Sequence, residues 1–283
     1  MINHPDNGNY QRAIIIPLDG SRTAARAFGA AEAVARLLEA SLHVVYVGKE
    51  PQPEEQLLRL LNLGQVNTKK IIFHQPTGQI VNAILELGTS LDASMIVMSS
   101  HGRTHDAGLV AGSVTMNVIQ QCDIPVMVVR PLRQGTPDRD WQPGRMLIPH
   151  DGSPVTASEV DQVFSLAQMM GADIDVLHVA VSARQPVEAG AFTGPRYLDR
   201  PHYDWSGWAD EFMRRFAARQ PEANIRLVYR TGGTVAETLA FAREQHEDMI
   251  ALIWRGQMAG ERAATVKGIL RQTEVPVLLK RIK

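Results

Sequence analysis

Two short stretches of the chain carry residue types from which a site for a sugar and an anion is built. The first is Asp19-Gly20-Ser21, directly after an apolar run that ends at Pro17. A short carboxylate leaving a strand can accept hydrogen bonds from a ribose hydroxyl. It can equally cap the following helix, although Ser21 can take that role in its place. The second stretch begins Ser99-Ser100-His101-Gly102-Arg103, continues for nine residues after Gly102, and reaches Gly112-Ser113-Val114 where a helical pattern opens. A glycine loop that ends at a helix amino terminus offers unpaired N–H groups and the positive end of the helix dipole, which together suit a phosphate. Without a Cβ, Gly102 and Gly112 let the main chain approach such an anion closely. Arg103 adds a charge-assisted donor and Asp106 an opposing charge. His101 and His105 bring imidazoles to the same loop, but the sequence supplies no third ligand and no ordered base partner, so neither a metal site nor a catalytic residue is assigned.

Loops of this kind need a scaffold, and the scaffold is written twice. Residues 12–47 and 145–181 share one plan: an apolar strand, Pro-x-Asp-Gly-Ser (Pro17 to Ser21, Pro149 to Ser153), a helical pattern and a second apolar strand. Further along, Gly78 matches Gly233, Met95-Ile96 matches Met249-Ile250, Gly102 matches Gly256, and Ile124-Pro125-Val126 matches Val275-Pro276-Val277. The spacing places about 23 extra residues in the second copy between Val179 and Gly233, and three fewer after Gly256. The extra stretch, 182–208, holds Trp205 and Trp208 and reads as a loop over its own domain, with a partner-binding flap as the alternative.

The pattern predicts strands near 13–17, 42–47, 70–74, 94–99 and 126–129, and again near 146–150, 174–180, 225–229, 249–253 and 277–280. Strands alternating with helices predict an α/β fold of two repeated open-sheet domains, each a five-stranded parallel sheet with helices on both faces. The domain boundaries are expected at 1–132 and 145–283, joined by the polar connector 131–144. In such sheets ligands bind beyond the carboxyl ends of the strands, where the strand order reverses.

Composition narrows the partners. The chain has 29 Lys and Arg against 30 Asp and Glu, so no strong field draws it to nucleic acid or an anionic bilayer. No export signal is visible at the amino terminus, and no apolar run approaches the roughly 20 residues that span a membrane, which makes a cytoplasmic location the expectation. The single cysteine, Cys122, reads as a packed, reduced thiol.

The text IVMSSHGR followed by GSVTMNVIQQCDIPVMVV resembles the strand-four to strand-five passage of the universal stress protein family. ATP-binding members carry Gly-x-x-Gly, nine residues, then Gly-Ser or Gly-Thr. Gly102, the nine-residue gap, Gly112 and Ser113 match, while Ser99 stands in place of the first glycine. The resemblance implies that Gly102, Gly112, Ser113 and Val114 hold the phosphates of ATP or a related adenine nucleotide. Asp19 would hold the ribose, and main chain near Pro17 and Val47 would line the adenine slot, with Mg2+ entering only through the nucleotide. It also implies a pseudo-dimer within the chain through the fifth strands, and a true homodimer is open. In the second copy, Trp254 replaces Ser100 and Ala263-Ala264 replace Gly112-Ser113, which reads as a degenerate site. Three functions follow for weighing: a nucleotide-binding regulator of the stress response, an interaction scaffold that binds no nucleotide, and a slow ATP hydrolase. For the last, no nucleophile, base and orienting group converge.

Overall fold

Short runs of β-branched and other apolar residues between turn signals form strands here, and the amphipathic stretches between them form helices. The computed structural model describes residues 12–64, 66–67, 71–100, 111–130, 137–150, 160–180, 207, 209–210, 213–214, 224–256 and 261–282. The first copy runs β1 (Ala13–Pro17), α1 (Arg22–Ala25), α2 (Phe28–Leu37), β2 (Ser41–Val45), α3 (Glu54–Leu60), β3 (Ile71–His74), α4 (Ile80–Ser90), β4 (Met95–Ser99), α5 (Ser113–Gln121) and β5 (Val126–Val129). The second runs β6 (Arg145–Pro149), α6 (Val160–Met170), β7 (Asp173–Ala180), β8 (Ile225–Thr231), α7 (Thr234–Glu244), β9 (Met249–Trp254), α8 (Glu261–Gln272) and β10 (Val277–Arg281).

The expected pair of five-stranded sheets is joined into one sheet of ten strands, in the order β3-β2-β1-β4-β5-β10-β9-β6-β7-β8. Neighbours within each half run parallel. The seam is antiparallel: Val277 stands opposite Val128, Leu278 opposite Met127 and Leu279 opposite Val126. Pairing the fifth strands gives each an inner neighbour, so neither is a sheet edge. The seam is reinforced by an arginine from each side. Arg281 donates to the Gln120 carbonyl (2.7 Å) and to Asp123 (3.0 Å), while Arg130 donates to the Arg271 carbonyl. Each arginine thus reaches the last turn of the other half's final helix.

Alternation along the strands sends side chains to two faces, and each face carries one apolar cluster that runs through both halves. One cluster joins Ile14 and Ile16 to Phe28 and Val34 of α2 and to Phe164 of α6. The other joins Ile15 and Ile96 to Ile84 of α4, Ile119 of α5, Phe241 of α7 and Ile269 of α8. Burying each such side chain stabilises the fold by about 1.5–3 kcal/mol. Cys122 is 3% exposed and belongs to the second cluster, and burial pushes its thiol up from the ordinary range. Among the described residues, no helix is long and apolar enough to cross a membrane.

Candidate functional site

Strand order reverses between β1 and β4, which are parallel neighbours although their connections leave in opposite directions. The loops leaving these two strands therefore flank a crevice at their carboxyl ends. On the β1 side the chain turns sharply at Gly20, whose φ of 83° suits a residue without a side chain. Asp19 Oδ1 accepts the Ser21 N–H at 2.9 Å, and Ser21 Oγ accepts the Ala24 N–H at 3.0 Å, so Ser21 is the cap of α1. The Gly20 carbonyl in turn accepts from Asn62 Nδ2 at 3.0 Å, which ties the loop to the chain just after α3. Pro17 ends β1 opposite Val45, and Val47 lies two residues beyond β2, half-buried against the α4 and α5 face.

On the β4 side, Ser99 and Ser100 are 8% and 1% exposed. Their carbonyls anchor the entrance of α5: Thr115 Oγ1 donates to Ser99 O at 3.0 Å, and the Gly112 N–H donates to Ser100 O at 2.7 Å. The first intrahelical bond is that of the Met116 N–H to Gly112 O, 3.0 Å. The N–H groups of Ser113, Val114 and Thr115 precede it and have no partner inside the helix, and the cap residue, Gly112, has no side chain to offer them. Ser113 is exposed, Val114 half-buried, and Thr115 buried. Because the Gly112 amide is engaged by Ser100, the donors left at this entrance are those one to three residues further on. Sequence spacing alone could not reveal that, since the bond joins residues from two elements. His101, Gly102 and Arg103, together with His105 and Asp106, lie outside the described residues.

The corresponding place in the second copy is built differently. Trp254, where the first copy has Ser100, is 3% exposed and packs in the cluster with Val266, Ile269 and Leu270 of α8. Ala263 and Ala264 lie in the first turn of α8, whose first residue is Glu261, so this helix reaches back three residues beyond the position aligned with Ser113, and two alanines stand where the first copy has Gly112 and Ser113. Gly256 keeps a positive φ of 72° and sits against the first half: a Cβ there would lie 3.1 Å from Gln120 O and 2.8 Å from Arg281 Cδ. Asp151 to Ser153 and, apart from Gly207, the 182–208 insertion lie outside the described residues.

Two buried polar clusters escaped the sequence reading. His43 of β2 is 5% exposed; its Nδ1 pairs with His74 Nε2 at 2.8 Å and its Nε2 with Ser41 Oγ at 2.9 Å. Asp175 of β7 is 6% exposed and faces Arg226 and Glu247. The signal was present in both cases as a polar residue inside an otherwise apolar strand, SLHVV and DIDVLHVA.

An open, mostly parallel sheet with helices on both faces defines the class as α/β. Residues 48–130 and 143–281 match the universal stress protein family, and the chain belongs to that family, with two matching segments in tandem. The first segment begins after β2, so Asp19 and its loop lie outside the matched residues. A universal stress protein of Methanocaldococcus jannaschii is 25% identical over 142 residues, 43% of this chain and 84% of that protein. The structure of a universal stress protein from Archaeoglobus fulgidus DSM 4304 is similar with a TM-score of 0.64 at 16% identity, covering 95% of this chain and 98% of that one. A putative universal stress protein from Pseudomonas aeruginosa UCBPP-PA14 gives 0.67 at 12% identity over 95% and 93%. At those identities the structural likeness speaks for the fold alone.

Proposed function

We propose that the first copy binds an adenine nucleotide of the ATP class at the β1–β4 crevice, and that occupancy makes the chain a cytoplasmic regulator in a stress response. The observation that carries this reading is the group of main-chain donors at the entrance of α5, left without intrahelical partners at the carboxyl end of β4 and beside the strand that leads to Asp19. Amides in this position bind phosphate through direct hydrogen bonds and through the helix dipole. In this reading the Ser113 and Val114 amides and the Ser113 hydroxyl take phosphate oxygens, and Gly112 and Gly102 keep the approach clear. Asp19, one of whose oxygens already holds the Ser21 amide, offers its carboxylate to the ribose. Pro17 and Val47 flank the base, and Ser99, His101 and Arg103 belong to the phosphate loop. Mg2+ arrives with the nucleotide.

The test is the thermal stability of the full chain with increasing ATP. A ligand that binds only the folded state at 100 times its Kd stabilises by about 2.7 kcal/mol. We expect the transition to rise with ATP and the rise to vanish in Gly112→Val, whose branched side chain stands at the helix entrance. A second reading, an interaction scaffold of the same fold, is favoured by the engagement of the Gly112 amide with Ser100 and by Ser99 in place of a glycine. No response to millimolar ATP selects it.

A further inference from the structure

At the amino-terminal end of the second copy's strands lies a group of charges that the crevice does not use. Asp175 is the third residue of β7, Arg226 the second of β8, Arg145 the first of β6, and Glu247 stands two residues before β9. Arg226 Nε donates to Asp175 Oδ1 at 2.8 Å, and its NH2 group donates to Asp175 Oδ2 and, at 2.9 Å, to Gln245 Oε1. The guanidinium carbon lies 5.7 Å from the centre of the Phe241 ring of α7. Glu247 is 3% exposed, and its main chain is fixed by a 2.8 Å bond from its N–H to the Ala242 carbonyl. Neither of its carboxyl oxygens receives a hydrogen bond from a donor among the described residues.

An ionised carboxylate only accepts. The contact between Asp175 and Glu247 becomes a hydrogen bond when one of the two carries a proton, and two buried charges of like sign side by side are otherwise strongly unfavourable. Arg226 occupies both oxygens of Asp175, which keeps Asp175 the anion. Glu247, with no donor of its own, is the place for the proton.

We propose that Asp175 and Glu247 form a proton-sharing carboxyl pair, and that its deprotonation in alkaline solution loosens the packing of β7, β8 and α7, giving the second copy a built-in pH-sensitive latch. Burial, the hydrogen bond with Asp175 and the charge of that carboxylate push Glu247 up to about 9, against the opposing pull of Arg145 and Arg226. Burial disfavours the charge on Asp175, but hydrogen bonds from Arg226 and Glu247 and the charges of Arg226 and Arg145 outweigh it and hold Asp175 below its ordinary range. Arg145 and Arg226 are the charged groups that face the pair from the neighbouring strands. Asp248 is turned to the Gly144 and Arg145 amides, at 2.7 and 3.1 Å. A cleft of about 530 Å³, lined in part by Arg145 and Gln245, brings solvent to the rim.

The sign follows from linkage. A carboxyl whose folded pKa is raised contributes stability that is complete below its unfolded value and is lost as pH rises toward the folded one. The folding constant therefore falls by roughly tenfold per pH unit across that window for one released proton. The test is urea denaturation of the full chain and of Glu247→Gln, whose amide donates to Asp175 without a titratable proton, between about pH 6 and about pH 9. The expected result is a ratio of wild-type to variant folding constants that drops by up to about tenfold per pH unit; a ratio independent of pH overturns the proposal. A second readout needs no variant: in the wild-type chain labelled at glutamate carboxyl carbons, one NMR resonance should sit at the protonated position at neutral pH and titrate in alkaline solution. Its absence also overturns the proposal.

Discussion

His43 and Asp175 occupy the same position in the two copies. His43 pairs across the strand with Ile15, the third residue of β1, and Asp175 pairs with Leu147, the third residue of β6. Both are buried, and each is satisfied from the next strand out, His43 by His74 of β3 and Asp175 by Arg226 of β8. One duplicated scaffold thus holds a pair of imidazoles at this place in one half and an ion pair in the other. A polar residue persists in this core when the neighbouring strand supplies its complement, since leaving it unpaired would cost about 1–3 kcal/mol or more. The two clusters also respond to acid and base with opposite signs. Burial, and then the charge of His74, lower His43 to about 4, whereas Glu247 beside Asp175 is raised.

The most severe way to break this comparison is Phe164→Ala. Phe164 is fully buried in the cluster that also contains Phe28 and Val34 of the first copy, and the truncation should cost about 3–5 kcal/mol. If the halves share one core, urea denaturation shows a single transition moved to lower urea. Two separated transitions would mean that the copies stand independently. A comparable effect is expected from acid acting on the first copy. A folded histidine pKa of about 4 against 6.5 unfolded makes the contribution complete above the unfolded value and lost as pH falls between them. That amounts to about 3 kcal/mol for the difference between the two pKa values. Denaturation of His43→Gln should show a flatter acid limb, and an unchanged limb would remove His43 as its source. The smallest effect belongs to the seam. Arg281 binds both a carbonyl and Asp123, whereas the described contact of Arg130 is with a carbonyl alone. Arg281→Met should therefore cost about 1–2 kcal/mol and Arg130→Met less than about 1 kcal/mol, since partly exposed pairs contribute modestly. Equal losses would show that Asp123 adds nothing.

Much of the frame was legible because strands declare themselves locally. β1 and β5 fall where the apolar runs put them, and the other strands shift by one or two residues at their ends, where fraying and turn geometry decide. The start of α8 was not legible: Ala263 and Ala264 align with a helix entrance in the first copy, yet good helix formers extend this helix back to Glu261. The same limit hid the Gly112 amide's bond to Ser100 and the partners of His43 and Asp175. Each joins residues that are distant in sequence or in different elements, and such pairings depend on register. Residue types showed the polar intruders in the strands, while only the neighbouring strand showed what they were for.

The antiparallel seam has a further consequence. Because β5 and β10 run in opposite directions while each half is internally parallel, the carboxyl ends of β1 and β4 open toward one edge of the slab and those of β6 and β9 toward the other. A molecule arriving at the first opening therefore comes from the side opposite to one arriving at the second, and a compact visitor cannot span both. The chain is a two-ended object whose two strand-end openings face away from each other.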